Sequence, residues 1–322
     1  MALFANFFWL AFAIGVLVWG ANKFIDSSSL LAKELGLTEL TIGLTIIALG
    51  TSAPEIFIAI SSVINNSGEI AMGTVVGSNI SNIALIFGVS CIGISYRPTS
   101  TPILQFIPFF LAACFLGYAL YDLRIDIFES LILILILLVF LFVTYKTKNL
   151  NIDINHEKTK SNINQTFFFL IVGLAALIGG SHFAVSNAES IAEILKVPQL
   201  IIGLTIIAIG TSLPELAATI SAIVKKKNEM VIGNIIGSNV MNIVIVVPII
   251  GFFSKTYLNP SIISRDFIVM ALFTALFFLI ALNYSSKKFD LRIIRFIGSL
   301  FVGSYLLYIL ILSNTLHSHI KI

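Results

Sequence analysis

Two glutamates stand deep inside long apolar stretches of this sequence, where an ionised carboxylate is costly. Among the 16 acidic residues, Glu55 and Glu215 hold such positions, and the others fall in polar segments or near the ends of apolar ones. A charge in the middle of a bilayer costs several kcal/mol, so an intramembrane carboxylate normally faces a polar cavity or a bound cation. The pair predicts a cation site. The alternative is two structural glutamates that are protonated or reach towards the membrane surface.

A proline and two hydroxyl-bearing residues accompany each glutamate. Proline has no backbone N–H, and the ring of Pro54 crowds the carbonyl of Gly50, so we expect each motif helix to break just before its glutamate and to free carbonyl oxygens. The hydroxyls beside the two breaks belong to Thr51, Ser52, Thr211 and Ser212. Because hard cations such as Na⁺ and Ca²⁺ prefer oxygen ligands, a cation site fits every group present.

The two glutamate motifs are copies of one another. Residues 43–55 read GLTIIALGTSAPE and residues 203–215 read GLTIIAIGTSLPE, with 11 of 13 positions identical at an offset of 160 residues. At the same offset AMGTVVGSNISNI, residues 71–83, matches VIGNIIGSNVMNI, residues 231–243, at six of 13 positions. The unbroken register indicates an internal repeat, and such repeats place equivalent motifs face to face near the middle of the bilayer.

The second motif adds further oxygen atoms. Ser78 and Asn82 are four residues apart, as are Ser238 and Asn242, so each pair lies on one face of a helix and is positioned to complete the cation site. The glycines of this motif recur every four residues, a spacing typical of close helix packing through small residues.

The composition excludes several classes of protein. Of 322 residues, 58% are hydrophobic and 11% are charged, which exceeds what a soluble core of this size buries and indicates a chain that is nearly all membrane. A net charge of +3 without a basic patch argues against nucleic-acid binding. Cys91 and Cys114 lie apart in apolar surroundings, so neither a disulfide framework nor a zinc site is predicted.

Apolar windows between polar breaks predict an all-α membrane protein. The ten predicted transmembrane helices cover residues 3–21, 40–64, 70–95, 102–121, 126–145, 165–185, 199–224, 230–253, 266–284 and 293–312. They form two inverted five-helix repeats, residues 1–145 and 165–322, joined by a polar connector, residues 146–164.

The basic residues predict the orientation. With both termini outside, 14 of the 19 basic residues lie on the cytoplasmic side, as positively charged loops do. The connector 146–164 is then cytoplasmic. Five helices per repeat give the two repeats opposite orientations, and the location predicted is the plasma (cell inner) membrane, crossed many times.

Through its paired GTSxPE and GSNxxN motifs the sequence resembles the calcium/cation antiporter superfamily, in particular its prokaryotic sodium/calcium exchanger branch. The resemblance covers essentially the whole chain. It implies ten helices, four central ion sites lined by the second, third, seventh and eighth helices, and sliding of the first and sixth helices to alternate access. It also implies the ion ligands, which are Glu55, Glu215, the carbonyls of Ala48 and Ala208, Thr51, Ser52, Ser78, Thr211, Ser212 and Ser238.

One residue departs from the family pattern. Many exchangers of this branch have aspartate where this chain has Asn242, so a third carboxylate is missing and, with Asn82, the site is nearly symmetric. Cation/proton relatives typically carry an acidic residue in the second motif, and neither copy here has one. The resemblance therefore favours sodium coupling and leaves the stoichiometry open.

The leading hypothesis is a secondary antiporter that exchanges Na⁺ for Ca²⁺, with no cofactor and with the two ions and the lipid bilayer as partners. No obligate protein partner and no enzymatic activity are predicted. The alternative is a Ca²⁺/H⁺ or other cation antiporter on the same fold. An intramembrane serine protease needs a base, and no histidine recurs at the repeat offset. A passive cation channel is a further alternative, but a pair of buried glutamates suits the tight binding and alternation of an antiporter better than passive conduction.

Overall fold

The computed structural model describes residues 2–65, 67–93, 103–147, 162–197, 208–254, 257–285 and 290–320. Within these ranges the chain is helical and contains no strand. Seven described helices are long and apolar enough to cross a membrane, and a pair bent at one break adds an eighth candidate. Two shorter apolar helices, Ile103–Ala119 and Leu213–Val224, complete the apolar set in the described ranges.

We number the helices in chain order. The first half contains α1 (Ala2–Leu35), α2 (Glu39–Thr51), α3 (Ala53–Ile64), α4 (Gly68–Gly93), α5 (Ile103–Ala119) and α6 (Ile127–Thr147). The second half contains α7 (Ile163–Ile194), the single turn α8 (Ala208–Gly210), α9 (Leu213–Val224), α10 (Asn228–Phe253), α11 (Ile262–Phe267 continuing as Ile268–Ser285) and α12 (Leu291–Ile320). The predicted connector lies mostly outside the described residues, as does the beginning of the predicted helix 199–224.

The bounds predicted for the first and sixth helices were wrong. Helix α1 continues to Leu35 instead of ending near residue 21, and α7 continues to Ile194 instead of ending near residue 185. The polar residues that suggested an end in α1 pack inside the protein: Asn22 accepts a hydrogen bond from Ser221 at 2.8 Å, and Ser28 is fully buried, its hydroxyl without a partner within the described residues. Polarity therefore marked packing against a neighbour and not the end of a helix.

Helices α1 and α7 cross as a closely packed antiparallel pair. A Cβ atom built on Gly20 would lie 2.4 Å from the backbone nitrogen of Leu177, and one built on Gly180 would lie 2.6 Å from that of Leu17. Small residues permit such close backbone approach between membrane helices. The contacts are reciprocal at the repeat offset, because Gly20 corresponds to Gly180 and Leu17 to Leu177.

The second-motif helices α4 and α10 form the centre of the molecule and share an irregularity. Each widens into π-helical turns at its motif asparagine, over Asn82–Phe87 in α4 and Asn242–Val246 in α10. Such turns leave backbone groups outside the regular ladder and are frequent at functional sites. Their recurrence at the repeat offset places both asparagines at the start of a locally loosened helix.

The glutamate motifs break their helices, as their prolines predict. Helices α2 and α3 are bent by 42° at Ser52, and Pro54 occupies the first turn of α3. In the second half the turn α8 ends at Gly210 and α9 begins at Leu213. Each break therefore presents a Thr-Ser pair and brings a glutamate into the first turn of the following helix.

Candidate ion-binding site

The two glutamates lie in the protein interior, where hydroxyl groups contact them. Glu55 and Glu215 are 0% and 1% exposed. Ser78 on α4 donates a hydrogen bond to Glu55 Oε1 at 3.1 Å, and Ser52 donates one to Glu215 Oε1 at 3.5 Å. Because Ser52 precedes Glu55 in sequence but contacts Glu215, the two halves of the chain meet at these carboxylates.

Several buried oxygen atoms of the two repeated motifs have no hydrogen-bond partner within the described residues. The atoms are Glu55 Oε2, Glu215 Oε2, Ser212 Oγ, Asn82 Oδ1 and Asn242 Oδ1. An unsatisfied buried polar atom costs free energy, and an unsatisfied buried carboxylate costs the most. Oxygen is the ligand type that Na⁺ and Ca²⁺ prefer, so these residues fit a hard cation as the transported substrate; the amide nitrogen of Asn82 also lacks a partner within the described residues and is not a cation ligand.

Thr51 connects the first glutamate motif to the second-motif helix of the other half. Its hydroxyl lies 3.4 Å from Ser238 Oγ and donates to Asn234 Oδ1 at 3.2 Å. It also lies within bonding distance of the Ala48 carbonyl at 3.4 Å. That carbonyl accepts the Ser52 backbone N–H at 3.0 Å as well, so the break at Ser52 does not leave Ala48 free of protein donors.

The corresponding residues of the other half have different surroundings. Ser78 and Thr211, which correspond to Ser238 and Thr51, line a cavity of about 390 Å³. The Ser212 backbone N–H donates to Ile209 and not to Ala208. Of Ala208 only the backbone is described. The two copies of the motif are nearly identical in sequence, and their described residues have different contacts.

The two motif asparagines differ in the same way. Asn242 donates from Nδ2 to Asn79 Oδ1 at 3.3 Å, whereas neither side-chain polar atom of Asn82 has a partner within the described residues. Both side chains are buried. Asn242 is thus fixed by a hydrogen bond between the halves, while both side-chain polar atoms of Asn82 remain available for other hydrogen bonds, and its oxygen for a cation.

Sequence reasoning missed four polar residues of this centre. Asn234 donates from Nδ2 to Thr219 Oγ1 at 3.3 Å, and Asn79 donates to the Asn239 carbonyl at 3.3 Å. Asn79 and Asn239 are identical at the repeat offset within the GSN motif, a signal that was present but unused. Asn234 has no such signal, because its counterpart is Thr74.

The described residues contain no group of three or more histidine, cysteine, aspartate or glutamate side chains able to hold a metal ion. A transition-metal site typically draws on such ligands. Two carboxylates supplemented by hydroxyl and amide oxygens suit Na⁺ or Ca²⁺ instead.

Broken helices that present carboxylates and neutral oxygens inside a helical membrane protein define a secondary transporter of cations. The chain belongs to the sodium/calcium exchanger protein family, whose profile matches residues 5–146 and 165–314. This finding confirms the family predicted from the GTSxPE and GSNxxN motifs, and it identifies the chain as a multi-pass membrane protein of a cation/Ca²⁺ antiporter family.

Similar proteins extend over almost the whole chain. The sodium/calcium exchanger MaX1 of Methanosarcina acetivorans is 32% identical over 329 positions, covering 88% of this chain and 94% of that protein. The inner membrane protein YrbG of Escherichia coli is 29% identical, covering 92% and 93% respectively. A solved structure of the sodium-calcium exchanger NCX_Mj, soaked with Na⁺ and Sr²⁺, superposes with a TM-score of 0.79 at 26% identity, covering 95% of this chain and 98% of that one.

Proposed function

We propose that the protein exchanges Na⁺ for Ca²⁺ across the membrane by alternating access, with Glu55 and Glu215 as the charged ligands. The observation that carries the proposal is the pair of buried carboxylates, each with one oxygen bonded to a serine and one oxygen without a partner within the described residues. The names of MaX1 and NCX_Mj, both sodium/calcium exchangers, support the same choice of ions.

Charge matching explains why the two ions exchange. Two carboxylates neutralise one Ca²⁺ or two Na⁺, and uncompensated charge in a low-dielectric site is costly. Occupation by Ca²⁺ and occupation by Na⁺ are therefore alternatives at one site. The neutral ligands are Thr51, Ser52, Ser78, Asn82, Thr211, Ser212, Ser238, Asn242 and the carbonyls of Ala48 and Ala208.

The proposed architecture is ten membrane crossings in two inverted repeats, residues 1–145 and 165–322. The antiparallel, reciprocal crossing of α1 and α7 supports the inversion, since equivalent helices of inverted repeats run in opposite directions. In the proposed orientation both termini lie outside and the connector 146–164 is cytoplasmic. A cysteine replacing Lys158 is then labelled from the cytoplasmic side alone, and labelling in intact cells with an impermeant reagent overturns the topology.

Alternating access requires one side of the site to be open while the other is closed. The cavity that reaches Ser78 and Thr211 lies at the end of the molecule where α4 and α11 begin. At the opposite end, Lys225 forms a 2.7 Å ion pair with Asp26 of α1, and Lys227 pairs with Glu39 of α2. In the proposed orientation the cavity opens to the outside, and sliding of α1 and α7 past the other helices reverses the arrangement.

Reconstitution into proteoliposomes tests the coupling ion. Uptake of radioactive Ca²⁺ is measured with an outward gradient of Na⁺, of K⁺ or of protons, each imposed alone, with the membrane potential clamped. We expect uptake with the Na⁺ gradient and background uptake with the others. Uptake driven by the proton gradient without Na⁺ supports the alternative, a Ca²⁺/H⁺ antiporter, and uptake without any gradient coupling supports a channel.

A further inference from the structure

The cavity that reaches the candidate site carries an ion pair in its wall. Arg265 and Asp266, in the wide turn that opens α11, line this cavity together with Tyr308 of α12. Ser78 and Thr211, which line the same cavity, belong to the proposed ion site. Cations that reach the site through this cavity therefore pass the ion pair.

The three side chains form a tightly held group. Arg265 donates from Nε to Asp266 Oδ1 at 2.7 Å and from Nη2 to Asp266 Oδ2 at 2.9 Å. The Tyr308 hydroxyl donates to Asp266 Oδ1 at 2.8 Å. The Arg265 and Asp266 side chains are 32% and 15% exposed. Paired hydrogen bonds from an arginine to a carboxylate are strong and fix the relative geometry of the two charges.

The sign of the charge at this position matters for a cation antiporter. An unpaired arginine in the cavity wall repels both transported ions, and an unpaired aspartate attracts and retains them. As observed, the pair is neutral overall, and Tyr308 holds the carboxylate against the arginine. Charges that line a cleft change the local concentration of ions and the rate at which they arrive.

We propose that the Arg265–Asp266 pair, held by Tyr308, is a charge-balanced filter: it keeps this wall of the cavity neutral, so that neither charge alone repels or retains Na⁺ and Ca²⁺ on their way to the site. This inference rests on the proposed function. The three residues act on ions in transit and are not ligands of the central site. Their effect is therefore expected on half-saturating ion concentrations and not on the rate at saturation.

The valence of the ion separates this role from a purely structural one. One uncompensated unit charge about 8 Å from the ion path through water changes the local concentration of Na⁺ about twofold. The same potential acts on twice the charge of Ca²⁺, so its local concentration changes by the square of that factor, about four- to sixfold. If the pair only holds α11 against α12, its removal is not expected to change the half-saturating concentration of Ca²⁺ by the square of the change for Na⁺.

The test uses the full-length protein in oriented membrane vesicles. Variants Arg265→Gln, Asp266→Asn and their combination are compared with Arg124→Gln. Arg124 is an exposed residue of the loop between α5 and α6, and Leu123 in that loop accepts a 2.7 Å hydrogen bond from Leu258, just before α11. This control removes the same charge at the same end of the molecule, outside the cavity.

We expect Arg265→Gln to lower the half-saturating concentration about four- to sixfold for Ca²⁺ and about twofold for Na⁺. Asp266→Asn raises both by the same factors, and the double variant and Arg124→Gln behave like the wild type. The shifts appear from the cavity side alone and shrink at high ionic strength, because salt screens exposed charges.

Each single variant has its own predicted direction of shift in half-saturating concentration. The proposal therefore stays testable with the other variant if one of them folds poorly. Equal shifts for the two ions, shifts from both sides, or unchanged values in Arg265→Gln and Asp266→Asn of an exchanging protein overturn the filter and leave the proposed function standing. A wild type that exchanges neither ion overturns the proposed function, and the filter with it.

Discussion

Helices α4 and α10 carry the same glycine motif, and their glycine faces have opposite surroundings. A Cβ atom built on Gly237 of α10 would lie 2.5 Å from Ala48 Cβ, and one built on Gly233 would lie 2.6 Å from the Leu40 carbonyl oxygen. At the equivalent positions of α4, Gly73 and Gly77, no described heavy atom lies within 4 Å. Both of these α4 glycines line the 390 Å³ cavity.

The described neighbours of the two faces therefore differ; the counterparts of Leu40 and Leu44 at the repeat offset are residues 200 and 204, which lie outside the described part of the chain. In the second half α10 packs directly on α2 and Asn234 joins Thr51 to Thr219; in the first half the equivalent face of α4 borders a cavity. An inverted repeat has equivalent surfaces at opposite ends of the molecule. In the proposed inverted repeat, closing one end while opening the other exchanges the packing of these two faces, as the proposed alternating access requires.

The largest effect on transport is expected at Glu55 and Glu215, which have equivalent surroundings in the two halves: each is buried and accepts a hydrogen bond from one serine. Glu55→Gln and Glu215→Gln each remove half of the charge that faces the ion, and each is expected to reduce Na⁺-driven Ca²⁺ uptake at least about 100-fold, since removing one partner of a buried charge interaction costs about 3–5 kcal/mol. Uptake and size-exclusion profiles are measured in parallel. A variant with a folded profile and wild-type uptake excludes its glutamate from the site.

The glycines test the comparison directly through stability. Gly237→Ala inserts a methyl group against Ala48 and the Leu44 carbonyl, and such overpacking typically costs about 1–3 kcal/mol. Gly77→Ala meets no described atom and is expected to leave the thermal unfolding midpoint in detergent near that of the wild type. If the two faces exchange roles during transport, Gly77→Ala nevertheless slows turnover. Equal stability of the two variants contradicts the observed asymmetry.

Exchanging the polar residues that differ between the two faces is expected to have a smaller effect. Asn234→Thr gives α10 the residue of α4 and removes the amide that links Thr51 and Thr219, at a cost of about 1–2 kcal/mol. Thr74→Asn lines the cavity and is expected to be nearly neutral. Chemical denaturation of both variants measures the difference. If Thr74→Asn loses more free energy of unfolding than Asn234→Thr, then the face of α4, and not that of α10, is the closely packed one.

The smallest effect is expected at Asn242, which Asn79 already holds in place. Asn242→Asp adds a titratable group to a site that contains two carboxylates, so exchange is expected to become more dependent on pH while remaining measurable. Initial rates of Na⁺-driven Ca²⁺ uptake are compared from mildly acidic to mildly alkaline pH, with Asn82→Asp as the matched variant. Normalised profiles that superimpose on that of the wild type refute this expectation.

Much of this architecture follows from the sequence because it is local or repeated. Pro54 predicted the break at Ser52, and the repeat offset identified Glu55 and Glu215 together. The full lengths of α1 and α7 were missed, since Asn22 and Ser28 read as polar breaks although a folded partner satisfies or buries them. Burial by residues that are distant in the sequence cannot be predicted from the local proportion of apolar residues.

The asymmetry of the site has no signature in sequence. Ser78 and Ser238 are identical within identical motifs, yet one borders a cavity and the other contacts Thr51. That difference belongs to the conformation of the protein and not to the residue types. The Arg265–Asp266 pair was also missed, because it lies near the end of a predicted helix, where charged residues are ordinary.

Equilibrium binding of radioactive Ca²⁺ to the purified protein tests the central claim most directly. The account predicts saturable binding that Na⁺ displaces and choline does not, and that is lost in Glu55→Gln and in Glu215→Gln, because one site built from both halves serves both ions. Arg124→Gln is the matched control and is expected to bind as the wild type does. Ca²⁺ binding that persists in either glutamate variant, or that Na⁺ fails to displace, contradicts the account.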